Sequence, residues 1–88
     1  MITSAQMRAA RALLGIDQKT LADLAGVSVP TIQRMEASQG NVRGVVDTLT
    51  KVVEALDLAG VELIGDNGQS VAGGRGVRLK EPVAKPAE

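Results

Sequence analysis

Gln18-Lys19-Thr20-Leu21-Ala22-Asp23-Leu24-Ala25-Gly26-Val27-Ser28-Val29-Pro30-Thr31-Ile32-Gln33-Arg34-Met35-Glu36 is the stretch whose reading decides the fold. Asp17 stands just before it as a good N-cap, and the apolar residues through Leu21 and Leu24 to Ala25 follow at helical spacing. Gly26 stops that helix at a sharp turn. Ser28 then caps a second helix, about residues 29–37, with Pro30 in the first turn, where a missing N–H costs nothing. Ala22 falls where two helices crossing at about 90–120° come closest, a place with no room for a larger side chain. Leu21, Leu24, Ile32 and Met35 are spaced to fill the seam between the helices. Val29, Pro30, Gln33, Arg34 and Ala37 are left pointing outward from the second helix.

Upstream, Thr3 and Gln6 have capping-box spacing, and Met7, Ala10, Leu13 and Leu14 follow at helical intervals up to Gly15. That predicts a helix over about 4–14. Downstream, a polar stretch from Ser38 to Arg43 leads into a longer helix carrying Val45, Val46, Leu49, Val52, Val53 and Leu56, which Gly60 closes. Val61-Glu62-Leu63-Ile64 and Val77-Arg78-Leu79-Lys80 have strand composition and predict a β-hairpin. Its connection either bends first at Asn67-Gly68 or is one long loop through Gly73-Gly74-Arg75-Gly76. The fold class is therefore mainly α, a small helical bundle of four to five helices with a C-terminal β-hairpin. Residues 1–60 form the helical domain, 61–80 the hairpin and 81–88 a disordered tail.

The pattern Gln-x-x-Leu-Ala-x-x-Ala-Gly-Val-Ser-x-x-Thr-Ile-x-x-x-Glu, read from Gln18 to Glu36, closely resembles the helix-turn-helix of the lambda-repressor and Cro family, bacterial regulators also called the xenobiotic-response-element type. Arg11, Leu14 and Gly15 also stand where that family has them. The resemblance implies binding to double-stranded DNA, with the helix at about 29–37 in the major groove. It implies backbone contacts from Gln18, Ser28, Thr31 and Arg43, base-facing positions at Val29, Pro30 and Arg34 with Gln33 beside them, and an ion pair of Arg11 with Glu36 tying the first helix to the recognition helix. Family members often carry a polar residue where this chain has Val29 and Pro30. Those two can touch thymine methyls but donate no side-chain hydrogen bond, so direct readout leans on Arg34, then Gln33. The segment Ala59-Gly60-Val61-Glu62-Leu63-Ile64, with Gly76-Val77-Arg78-Leu79, is similar to the hairpin that ends short bacterial relatives.

Composition removes most other chemistry. The 88 residues contain no Cys, His, Trp, Tyr or Phe, which excludes the usual zinc sites, thiol nucleophiles and Ser-His-Asp triads. Gly65-Asp66-Asn67-Gly68 offers too few oxygens for a calcium loop, and Gly73 to Gly76 lacks the helix that a phosphate loop needs. No enzyme activity, cofactor or metal is expected. Without aromatic side chains, single strands lose their stacking platform. Net charge is zero, with residues 1–44 at +2 and the rest at −2, so few phosphate contacts are expected. With no long apolar run and no basic, apolar start, the chain reads as cytoplasmic and free of membrane.

A domain this small buries only about 60% of its unfolded surface, and no disulfide staples it. A homodimer is expected, with Val61, Leu63, Val77 and Leu79 as the apolar face for a second copy. The favoured function is a sequence-specific transcription regulator, a repressor, acting as a homodimer on a two-fold operator. Two other readings stay open: a DNA-binding antitoxin with a toxin as protein partner, and a protein-interaction adaptor without DNA binding.

Overall fold

The computed structural model describes residues 2–40, 46–65 and 73–80. Over these the chain runs α1 (Ser4–Leu14), α2 (Gln18–Ala25), α3 (Val29–Glu36), α4 (Val46–Ala59), β1 (Val61–Ile64) and β2 (Gly76–Leu79). The mainly helical bundle with a terminal hairpin is the expected architecture, with four helices among the described residues. Val45, Asn67-Gly68 and the tail at 81–88 lie outside the described residues.

Each of the first three helices starts on a side chain that satisfies an orphan backbone donor. Thr3 Oγ1 accepts from the Gln6 amide at 3.1 Å while Gln6 Oε1 accepts from the Thr3 amide at 2.9 Å, the reciprocal capping box. Asp17 Oδ1 accepts from the Thr20 amide at 2.8 Å, and Ser28 Oγ from the Thr31 amide at 3.3 Å. Caps of this kind are each worth about 1 kcal/mol. The α1 and α2 helices end on Gly15 and Gly26, at φ of 69° and 72°, a left-handed conformation that a side chain would strain.

Met7, Leu21, Ile32, Val52, Leu56 and Val61 are the largest fully buried side chains, one or more from each helix and one from the hairpin. Each contributes roughly 1.5–3 kcal/mol of burial, which aliphatic and methionine side chains supply here without an aromatic. α2 packs on both α3 and α4, and Ala22 is buried at that junction. Leu24 does not join the seam: it is 55% exposed, and Ala25, the next residue round the helix, is buried. Helical spacing places Leu21 and Leu24 near one another, but the buried arc of this two-turn helix runs through Leu21, Ala22 and Ala25.

The strands pair antiparallel with Val61 opposite Leu79 and Leu63 opposite Val77 on one face, and Glu62 opposite Arg78 on the other. β2 begins at Gly76 and ends at Leu79, one residue ahead of the expected run. The apolar face turns onto α1 and α4 of the same chain. Val61 is 1% exposed, and Leu63, Val77 and Leu79 are partly buried against the core. Arg78 pairs with Glu62 on the outer face, Lys80 Nζ reaches Asp57, and the Lys80 amide donates to the Gly60 carbonyl at 2.8 Å. These contacts close the hairpin against the end of α4.

Candidate nucleic-acid interface

α3 is two turns long and divides cleanly between two environments. Ile32, Met35 and Glu36 face the interior, while Pro30, Gln33, Arg34 and Ala37 are exposed and Val29 and Thr31 are half-buried. The exposed set is the one that the spacing predicted except for Val29, which is half-buried because its side chain packs against the core. Among the described residues the Arg34 guanidinium has no partner in the protein, whereas Arg8 and Arg11 are both engaged internally. The Thr31 hydroxyl hydrogen-bonds Ser28 Oγ at 2.9 Å, so these two residues form one polar spot at the start of the helix. Arg43 lies outside the described residues.

The other end of α3 is held by α1. Arg11 grips Glu36 with two parallel hydrogen bonds, Nε to Oε2 at 2.7 Å and Nη2 to Oε1 at 2.8 Å, and reaches the Ile16 carbonyl at 3.2 Å through Nη1. This fork-to-fork geometry fixes direction as well as distance. Gln18 Nε2 donates to the same carboxylate, to Oε1 at 3.0 Å. Glu36 is 5% exposed. Burial of the carboxylate pushes its pKa up, but hydrogen bonds from Arg11 and Gln18 and the charges of Arg11 and Arg8 outweigh burial. Its pKa therefore lies below the usual carboxylate value. The bond to Glu36 is likewise the main reason the Arg11 pKa is raised.

Two further supports have no counterpart in the expected site. Arg8 Nη1 donates to the Glu36 carbonyl at 2.6 Å, satisfying one of the free carbonyls at the end of α3. Ser4 Oγ donates to the Ser38 carbonyl at 2.7 Å, and the Ser4 amide to the Gly40 carbonyl at 3.0 Å. Arg8 stands one helical turn before Arg11, a spacing that puts both on one side of α1; that signal could have drawn it into the site. Ser4 offers no such signal, because its partners are backbone atoms more than thirty residues away.

The arrangement is thus a short exposed helix carrying one uncommitted arginine, braced at its far end, with a second helix whose N-terminus begins beside it. The model of the helix-turn-helix family matches residues 7–63, more than half of the 88-residue chain, and takes in every one of these bracing residues except Ser4. The chain belongs to the helix-turn-helix family of the lambda-repressor and Cro type. No curated protein matches it. As a member of this family it is a DNA-binding transcriptional regulator, from a family of regulators and not of enzymes. At two turns, α3 is too short to hold its own pose in water. The Arg11–Glu36 pair and the bond from Arg8 to the Glu36 carbonyl are polar ties by which α1 holds α3. Among the described residues, no helix is long and apolar enough to cross a membrane.

Proposed function

We propose that this helix-turn-helix protein is a sequence-specific repressor that acts as a homodimer on a two-fold operator, with α3 in the major groove of each half-site. The uncommitted, exposed guanidinium of Arg34 carries the reading. Arginine is the side chain best shaped for a bidentate contact to guanine, and it is flanked here by Gln33 as a second donor and by Val29 and Pro30 as apolar contacts for thymine methyls. Gln18, Ser28, Thr31 and Arg43 take the phosphate contacts that set the register.

A second copy answers the neutral charge, because two recognition helices about 34 Å apart combine two modest affinities on half-sites one turn apart. Since Val61 is packed within its own chain, the surface for a second copy is the outer part of the hairpin face. Leu63, Val77 and Leu79 remain partly exposed there; a recess of about 340 Å³ lies between α4 and β1, and another of about 330 Å³ shares Val53 and Leu63 with it but is also lined by Ile2 and Gln6.

Selection of bound duplexes from a random pool tests the reading. Two inverted copies of a short sequence, spaced by one turn, are the expected result, with a dimer seen by light scattering at micromolar concentration. Failure to retard any duplex at low salt, or a monomer both free and on the selected duplex, would overturn it.

A further inference from the structure

We infer that Glu36 is a positioning residue for DNA binding, acting through Gln18: the buried carboxylate orients the Gln18 amide so that its remaining N–H meets a phosphate. The inference rests on the phosphate contact proposed for Gln18. An ionised carboxylate can only accept hydrogen bonds, so it admits one orientation of a neighbouring amide, with nitrogen towards it and oxygen away. Gln18 Nε2 lies 3.0 Å from Glu36 Oε1, and Arg11 holds that same oxygen from the other side at 2.8 Å. The acceptor is therefore fixed before DNA arrives.

Gln18 is the first residue of α2, half-buried, and among the described residues its amide makes this one hydrogen bond. The second N–H is left over. Without Glu36 the amide could turn over and present its oxygen to a phosphate, which repels it. With Glu36 in place the side-chain entropy of that donor is already spent in the free protein, and such preorganisation raises affinity. The Arg11–Glu36 pair thus serves the second helix as well as the third, and links the two DNA-facing elements to one buried anchor.

Gln18→Met and Glu36→Gln, singly and combined, test this with operator affinity measured at a temperature where circular dichroism shows every variant folded. Gln18→Met is expected to weaken binding about tenfold, the size of one hydrogen bond to a charged group, equally across base sequences. The salt dependence should stay unchanged, because a neutral donor releases no counterion. Glu36→Gln, whose amide no longer dictates which end of Gln18 faces it, should weaken binding several-fold in the wild-type background and by a clearly smaller factor in the Gln18→Met background, where only its hold on α3 through Arg11 is lost. Losses that multiply would overturn the inference while leaving the Gln18 phosphate contact intact. A Gln18→Met protein that binds like wild type would overturn both. If Glu36→Gln does not fold, NMR of the wild-type protein decides. Adding duplex should shift one Gln18 side-chain amide proton and leave the carboxylate-bonded one in place; movement of both, or of neither, counts against the inference.

Discussion

Gln6 Nε2 donates to the carbonyl oxygen of Gly76 at 2.9 Å, across seventy residues of chain. The same nitrogen donates to the Ile64 carbonyl at 3.0 Å, and Ile64 and Gly76 are partners in the hairpin register. One buried side chain therefore closes the N-terminal cap of α1 with its oxygen and pins the loop end of the hairpin with its nitrogen.

Gln6→Glu separates the two tasks. Glutamate serves the capping box as well as glutamine does, but it would aim a carboxylate at two carbonyl oxygens. The variant should lose about 1–3 kcal/mol of stability, and amide exchange should accelerate in β1 and β2 well before α2 and α3. Uniform loosening of all elements would mean that the hairpin is held mainly by its apolar face.

The Arg11–Glu36 pair between α1 and α3 makes its own prediction. Glu36→Ala leaves the Arg11 guanidinium without its carboxylate, and should cost more than about 1 kcal/mol in denaturant unfolding. Replacing both partners by apolar residues of similar size should recover much of that loss. A Glu36→Ala protein that unfolds at the wild-type midpoint would show that the pair does nothing for stability.

Acid should act on two carboxylates. Asp17 has a lowered pKa because it accepts the Thr20 amide and hydroxyl, and Glu36 is lowered for the reasons given above. A group whose native pKa lies below its unfolded value stabilises the fold above the unfolded value and loses that contribution as pH falls through the native one. Tm should therefore be level from neutral pH down to about pH 5 and fall below about pH 4. Asp17→Asn keeps a good N-cap without the charge, so its Tm should fall less in acid than that of the wild type. Equal acid sensitivity in the two proteins would remove Asp17 from the account.

At the DNA, Arg34→Ala should cost about 1–3 kcal/mol and relax preference at one base pair in each half-site. Binding measured on a panel of single-base operator variants checks it. If affinity instead falls by one factor on every duplex, with a shallower salt dependence, Arg34 contacts phosphate.

Cutting the chain after Gly60 should not yield a clean monomer. Val61 is a fully buried member of the core, and Ile64 and Gly76 take the two hydrogen bonds of Gln6. The truncated protein should lose helix content or melt at least several degrees lower, by circular dichroism, before DNA binding is measured. An unchanged melting curve would make the hairpin an independent appendage.

The sequence by itself determined where α1, α2 and α3 begin and where the chain turns between them. Thr3, Asp17 and Ser28 each bond an amide three residues on, and Gly15 and Gly26 each need only their own φ, so these signals are complete within one turn of chain. The outward face of α3 follows from helical period alone, which is why Gln33 and Arg34 were legible. Only the tertiary structure decided that Leu24 stands in solvent while Val61 is sealed in the core. Burial there depends on which of two neighbouring arcs meets α3 and α4, and the period of a two-turn helix does not choose between them. It also decided the second use of Gln6, the grip of Arg8 on the end of α3 and the reach of Gln18 to Glu36. Their partners lie 18 to 70 residues away, three of the four being backbone carbonyls, and a carbonyl has no side-chain identity for a sequence pattern to record.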